Sequence, residues 1–159
     1  MRDKQQIEAM YYLSPLQQGL LFHRLADATA DPYFYQYAYR LQGDLRLDAF
    51  EGAWGHVVER HAVLRTAFVW EGVEKPLQVV RRQTSLPIER HDWRGVPEEE
   101  QRLRFGTLLG CDRAAGLRLL QPPLMRLPVT RKPEPEWLLV NSHHHLLLDG
   151  PSLPRVLRD

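Results

Sequence analysis

Apolar and polar positions along this chain switch repeatedly between helical and strand periodicity. Ser14-Pro15-Leu16-Gln17 reads as a helix start, since Ser14 can cap, Pro15 suits the first helical position and Gln17 completes a capping box. Leu13, Leu16, Leu20 and Leu21 supply its apolar face, which predicts a helix to about Ala28, and Asp31-Pro32 breaks it. From Tyr33 to Leu41 the period is two. Tyr33, Tyr35, Tyr37, Tyr39 and Leu41 share one face, with Phe34, Gln36, Ala38 and Arg40 on the other. Gly43-Asp44 marks a turn. Asp48 is expected to cap a second helix, with Glu51 three residues later and a buried stripe of Phe50, Trp54, Val57, Val58 and His61. Residues 64–70 read as a strand, Glu71-Gly72 as a turn and residues 77–82 as the hairpin partner, with a weaker strand at 87–91. A third helix opens at Pro97-Glu98-Glu99-Glu100, whose acidic first turn suits the helix dipole, and Leu103, Leu108 and Leu109 are expected on its core side. A looser segment over 110–123 leads to a strand at 124–127, which Pro128 interrupts or confines to an edge. After a surface loop over 132–136, the apolar run Trp137-Leu138-Leu139-Val140 reads as a buried strand, and residues 152–159 as the first turns of a helix.

This alternation predicts an α/β (α+β) architecture, a mixed sheet with helices packed on at least one face. At 159 residues the chain reads as one domain, long enough to bury a core. Its 21 basic and 20 acidic residues are interspersed, so a nucleic-acid surface, which needs a clustered basic excess, is not expected. No apolar run approaches the roughly 20 residues of a membrane span. A single cysteine, Cys111, cannot form an internal disulfide, which suits a reducing cytoplasm.

The candidate chemistry sits where the last strand ends. Asn141-Ser142-His143-His144-His145-Leu146-Leu147-Leu148-Asp149-Gly150 places three imidazoles, a carboxylate and a glycine just before Gly150-Pro151-Ser152 turns the chain. Strand ends are where α/β proteins usually hold their chemistry. Counting back from Asp149-Gly150 sets the register as His-His-x-x-x-Asp-Gly, with the paired histidines at His144 and His145 and His143 as an extra. Adjacent histidines on a strand point to opposite faces, and no second cluster of metal-ligating residues stands at ligand spacing, so a metal site is not expected.

That block resembles the active-site motif of the condensation domains of non-ribosomal peptide synthetases, within the chloramphenicol-acetyltransferase-like acyltransferases. The likeness extends in order along the chain. Leu13-Ser14-Pro15-Leu16-Gln17-Gln18-Gly19-Leu20-Leu21-Phe22-His23 looks like the family's first block, and Arg60-His61-Ala62-Val63-Leu64-Arg65-Thr66-Ala67-Phe68 is similar to the second. Pro122-Pro123-Leu124-Met125-Arg126-Leu127 resembles the segment before the active-site strand. Pro151 departs from the large residue common in the family at that point.

The resemblance implies a chloramphenicol-acetyltransferase-like two-layer sandwich, with residues 1–159 as the N-terminal lobe of a condensation domain whose C-terminal lobe lies outside this chain. The implied reaction is amide formation. The amine of an acceptor aminoacyl group attacks the thioester of a donor acyl or peptidyl group, each on the phosphopantetheine of a peptidyl carrier protein. No cofactor bound by this chain, no metal, no nucleic acid and no membrane are implied. By resemblance His145 is the catalytic histidine, as general base or as the acceptor that positions the amine; imidazole, with a pKa near 6.5, suits either. Gly150 offers a backbone N–H as the candidate oxyanion donor. His144 is expected to support the turn. Asp149 admits two roles, orienting the imidazole as in a triad or fixing the turn by pairing with a buried arginine; the second is preferred, with Arg65 as partner. The first block leans toward the subtype that accepts a D-configured donor. The rival readings are an epimerisation domain or coenzyme A-dependent acyltransferase of the same fold, or a non-catalytic folding or carrier-docking fragment. With one wall of the tunnel, the isolated chain is expected to be inactive.

Overall fold

The computed structural model describes residues 6–26, 31–133 and 135–159. The capping box at Ser14 forms as its residue types demand. Gln17 N–H donates to Ser14 Oγ at 3.2 Å, and Ser14 N–H donates to Gln17 Oε1 at 3.0 Å. Helix α1 (Pro15–Ala26) follows, with Leu20 and Leu21 buried. It is preceded by a strand that the pattern did not announce, β1 (Ile7–Tyr12), whose largely exposed side chains carry no period-two signal.

Two sheets result. The smaller joins β1 to β3 (Thr66–Val69) and β4 (Leu77–Arg81), antiparallel in the order β1-β4-β3. The expected strand over 64–70 is shorter than the apolar run. Ala62–Arg65 instead forms a 3-10 turn, because Arg65 is drawn into a buried hydrogen-bond cluster. The larger sheet is built from β2 (Phe34–Gln42), β5 (Arg90–Asp92), β7 (Val129–Arg131) and β8 (Glu136–His144). Its order is β2-β8-β7-β5, with the two-residue β6 (Met125–Arg126) also pairing with β8. The β2–β8 pair is antiparallel over its full length, while β5 and β7 are parallel, so the sheet is mixed as predicted. Pro128 separates β6 from β7, and its carbonyl still accepts from Val140 N–H.

Helix α2 (Leu47–Arg60) buries Trp54, Val57 and Val58. Its start falls before Asp48, so Asp48 is not the cap; it lies in the first turn, 3.5 Å from Arg90, beside a closer Arg90–Glu51 pair at 2.7 Å. His61, on the stripe and read as a core or helix-end residue, ends the helix, with Nε2 2.9 Å from Asp159. The core joins these residues to Leu64, Phe68, Val129, Trp137, Leu139, the Leu146-Leu147-Leu148 run and a helix α4 (Ser152–Arg158).

Helix α3 (Glu98–Ala115) covers the opposite sheet face. Gln36 donates to Leu109 O at 3.2 Å and to Asp112 Oδ2 at 2.8 Å, and Ser142 Oγ donates to the same carboxylate. Two expectations change here. The helix continues through residues 110–115, where Asp112 anchors it, and stops at Gly116, whose φ of 57° favours glycine. Leu103 is 63% exposed, whereas Leu108 and Leu109 are half-buried and Asp112 reaches the sheet through Gln36.

Candidate active site

Strand β8 carries the histidine block to the sheet's end, and its register against β2 decides what each imidazole meets. Tyr35 stands opposite His143 and Tyr37 opposite Asn141, so the tyrosine face of β2 lies beside His143. Phe34 stands opposite His144, on the α3 face. The alternation expected of neighbouring histidines on a strand is realised.

His143 is buried, at 2% exposure. Its ring stacks on Tyr37, centroids 5.8 Å apart, and its Nδ1–H donates to Asn141 Oδ1 at 2.7 Å. Burial, with the neighbouring His145 and His144, pushes it down to about 4, so it is neutral at pH 7.

His144 is wholly buried. Leu146 N–H donates to its Nδ1 at 3.0 Å, which requires that nitrogen to be unprotonated and puts the proton on Nε2. That Nε2 lies 3.3 Å from Asp31 Oδ1, a short polar contact without the alignment of a full hydrogen bond. Burial raises the Asp31 carboxyl, but His144, Tyr33 N–H and Arg24 outweigh it and hold the group below the usual range.

His145 follows the strand and is half-buried. Its N–H donates to Tyr33 O at 2.8 Å, and the Tyr35 ring meets the imidazole edge-on at 5.3 Å. His145 Nδ1 lies 3.2 Å from Leu148 O. A carbonyl only accepts, so Nδ1 carries the proton and Nε2 keeps its lone pair. Among the described residues Nε2 has no hydrogen-bond partner. His145 therefore presents Nε2 as a free acceptor beside Tyr35, which is 37% exposed.

Asp149 does fix the turn, but the partner expected for it is corrected. Its side chain is exposed, and Oδ1 accepts Ser152 N–H at 2.9 Å, which ties the turn to the start of α4; the Ser152 hydroxyl and then this N–H lower the carboxyl. Arg65 does not pair with it. The guanidinium is buried elsewhere, donating to Val58 O at 3.1 Å, Glu59 O at 3.2 Å, Arg81 O and the Glu8 carboxylate. A rigid fork of five donors is more fully satisfied among these carbonyls, where the end of α2 meets β4 and β1, than by a carboxylate on an exposed turn. Gly150 is exposed, and its N–H has no acceptor among the described residues. Pro151, the family departure, takes helical dihedrals immediately before α4.

Three contacts were invisible in the sequence: Asp31 on His144, Tyr33 O on the His145 amide and Leu148 O on its ring. The carbonyls have no residue-type signature. Asp31 reads locally as a helix breaker, and only the return of β8 beside β2 brings it to the histidines.

A half-buried imidazole with a free Nε2 thus stands at the end of an interior strand of a mixed α/β fold. The sequence profile of the condensation domain matches residues 7–159, and the chain belongs to that family. It is 37% identical over 148 residues to tyrocidine synthase 2 of Brevibacillus parabrevis, covering 93% of this chain and 4% of that protein. Against bacitracin synthase 1 of Bacillus licheniformis it is 34% identical over 154 residues, covering 97% and 3%. Among solved structures, the starter condensation domain of rhizomide synthetase superposes with a TM-score of 0.82 at 17% identity, covering 94% of this chain and 36% of that one. The first condensation domain of the calcium-dependent antibiotic synthetase gives 0.81 at 18%, covering 94% and 36%. The chain thus spans only a small part of its relatives and about a third of these solved domains. Condensation domains of this family form amide bonds and work with phosphopantetheine-bearing carrier proteins. No helix among the described residues is long and apolar enough to cross a membrane.

Proposed function

We propose that this chain is the N-terminal, histidine-bearing lobe of a condensation domain that joins a donor acyl or peptidyl thioester to the amine of an acceptor aminoacyl thioester. The observation that carries the reading is the state of His145. With Nδ1–H committed to Leu148 O, Nε2 of the half-buried ring is left as a free lone pair. In the reaction the acceptor nitrogen attacks the thioester carbonyl, a C–N bond forms and the nitrogen becomes cationic. Nε2 holds that N–H in line or takes its proton. The carbonyl oxygen becomes an oxyanion, for which the Gly150 N–H is the donor, and its collapse breaks the C–S bond and releases the carrier thiol.

On this reading the partners are the C-terminal lobe of the same domain and donor and acceptor peptidyl carrier proteins. Their phosphopantetheine arms arrive as substrate, and this chain binds no cofactor of its own. A cytoplasmic location belongs to the same reading. With the second wall supplied by the C-terminal lobe, the 159-residue chain is inactive alone.

The test is dipeptide formation by the intact domain with loaded donor and acceptor carriers, wild type against His145→Ala. The expected result is a loss of about a hundredfold or more with folding unchanged. Undiminished dipeptide formation by the variant would remove His145 from the chemistry. Epimerisation or acyl transfer to a small molecule, with no condensation even by wild type, would assign the domain to another reaction on this fold.

A further inference from the structure

The carboxylate that touches an imidazole of the histidine block is Asp31, which lies outside every family-like block of the sequence. Its Oδ1 accepts Tyr33 N–H at 3.1 Å and lies 3.3 Å from His144 Nε2. Its Oδ2 lies 3.0 Å from Arg24 Nε, so α1 holds the carboxylate from behind. The side chain is 14% exposed, and His144 beside it is fully buried.

Each of these contacts leads to His145. The carboxylate faces His144 Nε2 and favours a proton there, which frees Nδ1 to accept Leu146 N–H. The His144 carbonyl also accepts Leu147 N–H at 2.9 Å. Residues 144–147 are thereby held in one turn, which presents Leu148 O to His145 Nδ1. On the other side, the Tyr33 residue whose N–H meets Asp31 uses its carbonyl to hold the His145 amide. Both anchors of the free imidazole, at backbone and at ring, run back to one carboxylate.

We propose that Asp31 is the positioning residue of this site, acting through the His144 tautomer and the Tyr33 backbone to hold His145 with Nε2 as the free base. The proposal rests on the reading of His145 given above. Asp149, the acidic residue of the motif, does not perform this role, since it is exposed and engaged with Ser152 N–H.

The experiment has one arm on this chain and one on the intact domain, using Asp31→Ala and Asp31→Asn. On the chain, imidazole ¹⁵N NMR reads the His144 tautomer and hydrogen exchange reads the Leu146 amide. Asp31→Ala is expected to lose the Nε2–H preference of His144 and to speed Leu146 exchange about tenfold or more. Asp31→Asn, whose Oδ1 faces the same N–H, is expected to retain the tautomer. In the intact domain Asp31→Ala should lower kcat about tenfold with KM little changed, and Asp31→Asn should recover most of it. A folded Asp31→Ala with unchanged tautomer and exchange overturns the proposal, as does Asp31→Asn with His144 moved to the Nδ1–H form. If wild type shows no condensation, the function proposed above fails, and the tautomer and exchange results still decide the role of Asp31.

Discussion

His143 makes the stability of this chain depend on pH in a window that can be worked out. The ring is buried against Tyr37 and hydrogen-bonded to Asn141, and burial holds it at about 4 against an ordinary value of 6.5. Between those values the unfolded chain binds a proton that the folded chain refuses. The neutral-histidine contribution is therefore complete above about pH 6.5, declines as pH falls and levels off below about pH 4. A gap of about 2.5 units at about 1.4 kcal/mol each amounts to about 3 kcal/mol, of which roughly 2 kcal/mol is lost by about pH 5. That is a large share of the roughly 5–15 kcal/mol by which domains are stable. The assay is urea unfolding of wild type and His143→Phe at a series of pH values. Phenylalanine keeps the stack on Tyr37 and removes the proton site, at a constant cost for the unpaired Asn141 oxygen. Asp31 and Asp149, both held below the usual carboxylate range, titrate in both proteins and cancel in the difference. The two stability curves should converge by about 2 kcal/mol between about pH 7 and pH 5. Parallel curves would refute the reasoning, because they would mean that His143 takes up its proton in the folded state.

Two further predictions follow from where the charged groups lie. Asp149→Ala should cost only about 1 kcal/mol, the value of a lost cap at the start of α4, whereas rupture of a buried ion pair would cost about 3–5 kcal/mol. A double-mutant cycle of Asp149→Ala with Arg65→Ala should show coupling below about 0.5 kcal/mol by chemical denaturation. Arg65→Ala should itself destabilise by about 3 kcal/mol or more, because Val58 O, Glu59 O and Arg81 O lose a donor together. Arg65→Lys should recover less than half of that, since an ammonium cannot span the same fork; full recovery in urea unfolding would show that charge alone matters there.

Most of the fold was legible wherever a side-chain pattern reports directly on burial. The Tyr33–Leu41 alternation, the capping box at Ser14 and the α2 stripe each encode their element locally, and each is present. Elements whose signal is not local were missed or misplaced. Strand β1 is mostly exposed, β7 is three residues long, and the end of α3 is set by contacts of Asp112 with Gln36, Arg126 and Ser142 on the sheet it covers. The histidine block was readable as a block, and so was the opposite facing of its adjacent imidazoles, because both follow from spacing along one strand.

What the sequence determined by itself was the family and the order of most elements, since residue type and period are properties of the chain. Only the tertiary structure decided the protonation geometry of the site. Hydrogen bonds from Leu146 N–H and to Leu148 O assign opposite tautomers to His144 and His145, and the antiparallel return of β8 beside β2 brings Asp31 to His144 across more than a hundred residues of chain. The same long-range packing drew Arg65 away from Asp149 into a cluster of carbonyls. Partner choice between distant charged groups depends on which desolvated acceptors the fold assembles around them, and no local pattern in the chain records that.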